Sequence, residues 1–335
     1  MGGHARRVAG PTRYGSGMRR SDSSLADLLA DGPVVLDGAM GTELDARGVD
    51  TRHSLWSALA LLTEPGAVAA VHRDYLAAGA RVLTTASYQA SVPAFEAAGM
   101  SADDARRAIA DSARLALDTA ADWERERPGD RVAVAGGIGP YGAYLADGSE
   151  YTGDYHPTPE RLAAVHRPRL EALAGEGLTD FGLETMPRLD EAVAVVGWMG
   201  ETVPGARCWV SFQVRPDGAH LADDTPLREA AAWAVGEDAV LAVGLNCVAP
   251  EVVAPALEVL RSATSKPLVA YPNAGDAYDP VSKTWIEASA HERFTAYAGE
   301  WLDAGVRLLG GCCRTTPRDT AALADAVGRW RAARH

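Results

Sequence analysis

The sequence predicts a single α/β domain built as a (β/α)8 TIM barrel. Eight short apolar runs recur along the chain, each followed by a longer stretch with helical spacing, which is the strand-and-helix count of that barrel. Within each run the apolar character is nearly continuous instead of alternating, as in parallel strands covered on both faces. A doubly wound sheet shares the alternation of strand and helix, and the eightfold repeat favours closure.

Strands are expected at residues 34–38 (VVLDG), 81–87 (RVLTTAS), 131–138 (RVAVAGGI), 180–185 (DFGLET), 207–214 (RCWVSFQV), 239–246 (AVLAVGLN), 266–272 (KPLVAYP) and 306–311 (VRLLGG). Three of the intervening helices carry their own punctuation. TEPGAVAAVHRDYLAAGA places Thr63 as N-cap, Glu64 and Pro65 in the first turn and Gly79 at the end. SADDARRAIADSARLALDTAADW begins at Ser101 with acids near its start, and the last helix, TPRDTAALADAVGRWRAA, again opens Thr-Pro. No low-complexity linker divides residues 25–335, so these form one domain. Residues 1–24, rich in Arg, Gly and Ser with no apolar stretch, are expected to be a disordered tail, with Met18 as an alternative start.

At 335 residues and 47% hydrophobic the chain can bury a large core, and its formal charge of -13 argues against a nucleic-acid partner. No run of 18 or more uncharged apolar residues is present to span a membrane. The partners expected are small molecules.

Three thiols carry the candidate chemistry. Cys247 stands in GLNCVAPE, and the adjacent Cys312 and Cys313 in GGCCRTTP; each segment follows an apolar run, where a strand opens into a loop. Zinc (Zn2+) takes thiolates in a tetrahedron, and three protein ligands leave a fourth corner for a water or a thiol substrate. The competing readings are weaker. Cys208, in RCWVSF, reads as a small core residue. A bridge between neighbouring Cys312 and Cys313 would strain the disulfide and the peptide between them. With no secretory segment, the chain is expected to be cytoplasmic, where thiols stay reduced.

In such barrels the chemistry collects at the C-terminal ends of the strands. Asp37 and Gly38 follow the first run, Ser87 and Tyr88 the second, and Glu184 and Thr185 the fourth. Cys247 follows the sixth, Asn273 the seventh, and Cys312 with Cys313 the eighth. One mouth is therefore expected to gather three thiols and two carboxylates.

The segments LDGAMGTEL (36–44), TTASYQAS (84–91), GPYGAYLADGSEYTGDY (139–155), LETMP (183–187), GLNC (244–247), YPNAG (271–275) and GGCC (310–313) together resemble the homocysteine S-methyltransferases. The resemblance implies a TIM barrel that holds zinc through Cys247, Cys312 and Cys313 and moves a methyl group from a sulfonium donor to homocysteine. It places Asp37, with the backbone of Gly38, and Glu184 at the amino group of homocysteine, chemistry that a strand-end carboxylate suits. Asn246, beside Cys247, is expected at the substrate site as a residue that fixes the loop. A cationic donor needs aromatic faces; the candidates are Tyr88, Trp56, Tyr141, Tyr144, Tyr151 and Tyr155, with Tyr88 foremost. The 139–155 loop looks closest to the branch using S-methylmethionine, with S-adenosylmethionine a poorer donor. The alternatives are a betaine-using enzyme, a non-catalytic zinc-binding barrel, and a Schiff-base lyase; the last needs a lysine in the mouth, and Lys266 and Lys283 are poorly placed.

Overall fold

The structure, a computed structural model, describes residues 23–49, 57–275, 277–279, 284–286 and 294–334. All eight expected strands form: β1 (Val34–Val35), β2 (Val82–Thr84), β3 (Ala133–Ile138), β4 (Asp180–Met186), β5 (Arg207–Phe212), β6 (Val240–Asn246), β7 (Leu268–Tyr271) and, last in the chain, β10 (Val306–Leu309). They pair in parallel in the order β1-β10-β7-β6-β5-β4-β3-β2. A parallel bridge between Leu36 and Val82 joins the two ends of that row, so the sheet closes. A short antiparallel hairpin, β8 (Ala277–Asp279) with β9 (Thr284–Ile286), follows β7 and has no counterpart in the sequence reading.

The strands are apolar on both sides because each side meets a different core. Residues of one parity, among them Val34, Val82, Ala133, Ala135, Trp209, Ala242, Val269 and Leu308, form a cluster inside the barrel. The other parity, with Val134, Phe181, Leu183, Val210, Val243 and Leu268, packs under the helices in a larger cluster. The interior is thus filled by side chains and leaves no pore. Its lower end is plugged by a helix, Leu25–Ala30, capped by Ser24. Leu25 and Leu28 pack into the interior cluster, and the Leu25 N–H donates to Asp180 Oδ2 at 2.8 Å.

The helix starts at Ser101 and Thr316 are as expected. Ser101 caps Ala102–Glu126, and Thr316 caps Pro317–Ala332 with a reciprocal bond from Asp319. The expected cap at Thr63 is corrected: Thr63 ends a short helix, Ser57–Thr63, and Glu64 takes the N-cap position of Pro65–Ala77. Pro65 supplies the first-turn φ whichever residue precedes it, so the entry does not depend on a hydroxyl. Among the described residues no helix is long and apolar enough to cross a membrane.

Candidate metal centre and substrate site

Period-two alternation along the strands brings the chemistry to one mouth. On β4, Asp180 lies at the bottom of the barrel, Gly182 in the middle and Glu184 at the top, all on the inward parity. On β6, Ala242, Gly244 and Asn246 repeat the pattern. The residue after each top position then leaves the strand conformation: Thr185 and Cys247 have φ of 59° and 56°. A left-handed backbone is uncommon for any side chain and costs most for a β-branched one.

A buried side chain holds both turns in place. Asn246, 1% exposed, accepts the Thr185 N–H at 2.7 Å through Oδ1 and donates to Thr185 Oγ1 at 2.8 Å through Nδ2. The same Nδ2 donates to Cys312 Sγ at 3.8 Å. These bonds tie β4 to β6 and reach a candidate ligand from the turn of β4.

The three thiols converge. Cys247 Sγ lies 3.5 Å from Cys313 Sγ, Cys313 Sγ lies 3.9 Å from Cys312 Sγ, and all three sulfurs fall within 4.8 Å of one another. A tetrahedral zinc with bonds of about 2.3 Å separates its sulfurs by about 3.8 Å. The two shorter separations bracket that value, so the trio suits such an ion. Backbone bonds aim the pair: the Cys312 N–H donates to Pro272 O at 2.8 Å, and the Cys313 N–H to Asn273 Oδ1 at 3.1 Å. The Cys312 and Cys313 thiols donate to the Cys247 sulfur, which holds Cys247 well below its ordinary pKa and the other two well above theirs. A cation at the centre would compensate further ionisation. The remaining cysteine, Cys208, is wholly buried in the outer core, as expected.

Both expected carboxylates line the same mouth. Asp37, 8% exposed, accepts the Thr84 N–H at 2.8 Å and the Thr84 hydroxyl at 3.1 Å, with His72 Nδ1 3.8 Å away. Burial pushes the Asp37 carboxyl up to about 7 and the His72 imidazole down to about 4. Burial also holds the Glu184 carboxyl well above its usual range, reinforced by the nearby charges of Cys312 and Asp37 and opposed by a hydrogen bond from Tyr271. Gly38 lies against the Tyr75 ring, where a Cβ would come within 2.8 Å of Cε1. Tyr75 donates to Ala39 O and Thr315 O, so the ring fixes the end of β1 against the turn that carries the cysteine pair.

The aromatic candidates divide. Tyr151 Oη is 3.9 Å from Cys247 Sγ, and Tyr88 is partly buried within reach of the charges of Glu150 and Cys247. Burial keeps both phenols well above their ordinary pKa, so both are neutral at pH 7. Tyr141, Tyr144 and Tyr155 instead pack on one another and on Leu162 and Val165. Their expected place in the mouth is corrected, because their loop folds back on its own small core. Trp56 and Lys283 lie outside the described residues. Lys266 donates to Glu237 O and Val240 O where β6 begins, at the end of the barrel opposite the thiols.

Sequence reasoning passed over Thr84, Tyr271 and Glu150. Thr84 and Tyr271 occupy inward positions at the tops of β2 and β7, a signal available from strand parity. The burial of Glu150, 5% exposed in a short 3-10 turn at Ser149–Tyr151, has no such signal.

The sequence signature of the homocysteine S-methyltransferase family matches residues 34–327. The homocysteine S-methyltransferase of Escherichia coli K12 is 47% identical over 292 residues, covering 87% of this chain and 94% of the relative. The selenocysteine Se-methyltransferase of Brassica oleracea is 38% identical, covering 90% and 91%. The solved metallated form of the homocysteine methyltransferase MmuM from Escherichia coli superposes with a TM-score of 0.80 at 43% identity, covering 89% of this chain and 98% of that one.

Proposed function

The chain belongs to the homocysteine S-methyltransferase family, and we propose that it transfers a methyl group to homocysteine from a small sulfonium donor, S-methylmethionine ahead of S-adenosylmethionine, using zinc held by Cys247, Cys312 and Cys313. The observation that carries the reading is the trio of sulfurs gathered within 4.8 Å of one another in the mouth. A set of soft thiolates suits zinc. The reduced state they need suits a cytoplasmic enzyme.

When bound, the metal supplies Lewis acidity that lowers the pKa of a thiol in the fourth position, from about 8.5 when free. The protein's own residues do the rest. Asp37 and Glu184 accept the ammonium of homocysteine, whose positive charge compensates two carboxyls that burial makes harder to ionise. Tyr271 fixes Glu184 from below and Thr84 fixes Asp37 from the side. Asn246 keeps Cys312 and the Glu184 turn in register. On the donor side, the rings of Tyr88 and Tyr151 offer neutral faces of negative potential to a sulfonium and present no competing nucleophile. The homocysteine sulfur attacks the methyl carbon, the carbon–sulfur bond of the donor breaks, and its electron pair stays on the departing neutral thioether. The thiol proton is released to solvent, and methionine is the product.

Assaying the metal-loaded enzyme with homocysteine and S-methylmethionine, S-adenosylmethionine or glycine betaine tests the reading. The expected order of kcat/KM is S-methylmethionine, then S-adenosylmethionine, then betaine. Faster turnover with betaine would replace the donor, and zinc binding without turnover on any of the three would leave a non-catalytic barrel.

Two further results are expected for the acceptor side. Glu184→Gln should raise the homocysteine KM about tenfold or more, the loss of one charged hydrogen bond, with the metal content unchanged; an unaltered KM would remove Glu184 from the site. Because the Asp37 carboxyl is pushed up to about 7, its ionised form dominates only above that pH. Lowering the pH from 8 to 6 should then raise the homocysteine KM about tenfold. In Asp37→Asn that part of the profile should flatten, and an identical pH profile in the variant would assign the titration to another group.

A further inference from the structure

Behind the tyrosine wall lies a buried polar chain with no place in the reading above. Helix Pro159–Gly175 turns His166 and Arg169, three residues apart, onto its inner face, and helix Leu189–Thr202 adds Glu191 in its first turn. The three are 0%, 1% and 1% exposed. Arg169 donates through Nη1 to Tyr88 O at 2.7 Å, and through Nη2 to Gly139 O at 2.7 Å and to His166 Nδ1 at 2.8 Å. Since Nδ1 accepts, the imidazole proton sits on Nε2 and is donated to Glu191 Oε1 at 2.7 Å. Glu191 Oε1 also accepts the Tyr141 N–H at 2.6 Å, and Oε2 accepts the Tyr155 hydroxyl.

A cation and an anion are thus joined through a neutral ring inside the protein, at a desolvation cost that apolar side chains would avoid. What the arrangement secures is position. One end grips the main chain of Tyr88 and Gly139; the other grips Tyr141 and Tyr155, which flank the turn carrying Glu150 and Tyr151. Tyr151 Oη lies 3.9 Å from Cys247 Sγ, and Tyr88 is held on the same side by the Arg169 bond to its carbonyl.

We propose that Arg169, His166 and Glu191 are positioning residues for the methyl donor: they hold Tyr88 and the 139–155 loop as a preformed wall facing the sulfur trio. This rests on the donor reading above and deepens it. Among the described residues, the bonds of these three side chains, apart from those to one another, go to Ser87, Tyr88, Gly139, Tyr141 and Tyr155, and none goes to β1, β4 or the cysteine turns, the homocysteine side of the mouth.

The test uses Glu191→Gln, Arg169→Lys and Tyr155→Phe in the full, metal-loaded protein. Tyr155→Phe removes one hydroxyl and keeps the ring, so it retains the fold if the charged variants do not. The donor KM is expected to rise on the order of 10- to 100-fold in the first two and in the same direction in the third. The homocysteine KM and the metal content should stay within about twofold of wild type, since those groups lie outside the chain's contacts. Hydrogen exchange should quicken in 139–155 and not around 240–250. Both KM values rising together with globally faster exchange, or neither moving, would overturn the proposal. If the wild-type enzyme used no sulfonium donor, the donor reading would fail by itself. Exchange would then decide this one: quickening confined to 139–155 supports it, and unchanged or global exchange overturns it.

Discussion

Replacing Cys247, Cys312 or Cys313 singly with Ala is expected to abolish metal binding and reduce turnover by about 10³-fold or more, with the barrel still folded. A free thiol with a pKa of about 8.5 is roughly 3% ionised at pH 7, so losing the metal costs about thirtyfold in nucleophile before orientation is counted. Losing the fixed direction of attack adds on the order of 10²-fold. Stability should change little, because the interior cluster of Val34, Trp209, Val269 and Leu308 is built from apolar side chains of the strands, with Cys312 packing only at its edge. Metal analysis, turnover and far-UV dichroism on the three variants check this. Loss of the helical signal in all three would assign the metal a structural role.

Gly244→Ala is expected to do the reverse and remove the fold first. A Cβ on Gly244 would lie 1.8 Å from the carbonyl oxygen of Val269, its partner across the β6–β7 pair. Neither backbone can give way cheaply, because β6 is also paired to β5 and β7 to β10. The cost should be about 3 kcal/mol or more, read as a lower denaturation midpoint. Any folded remainder should bind metal poorly, since Asn246 and Cys247 sit on the strand that is pushed aside. Wild-type stability in this variant would mean that the two strands separate more freely than their register indicates.

The contrast explains what was legible in the sequence. Strand positions follow from runs of apolar residues that two cores require, so all eight are readable. The parity of Asp180, Gly182 and Glu184 similarly brings Glu184 to the mouth. The thiol trio is readable because each cysteine falls just past a strand. Side-chain direction beyond a strand end is not readable, because it turns on a single dihedral: nothing in LETMP or GLNC announces the left-handed backbone of Thr185 and Cys247. The loop tyrosines illustrate the same limit. Tyr141 and Tyr155 are as aromatic as Tyr151, yet the carboxylate of Glu191, 36 residues beyond Tyr155, holds them behind the wall. His166 and Arg169 lie in HRPR, a stretch that reads as a charged surface, and only the packed helix shows them buried.

The most direct test of the account is X-ray absorption at the metal edge of the reduced, zinc-reconstituted protein, before and after homocysteine is added. The account predicts one zinc per chain with three sulfur neighbours at about 2.3 Å, and a fourth sulfur on adding homocysteine. A substoichiometric metal, or a sulfur count that homocysteine leaves unchanged, would contradict it.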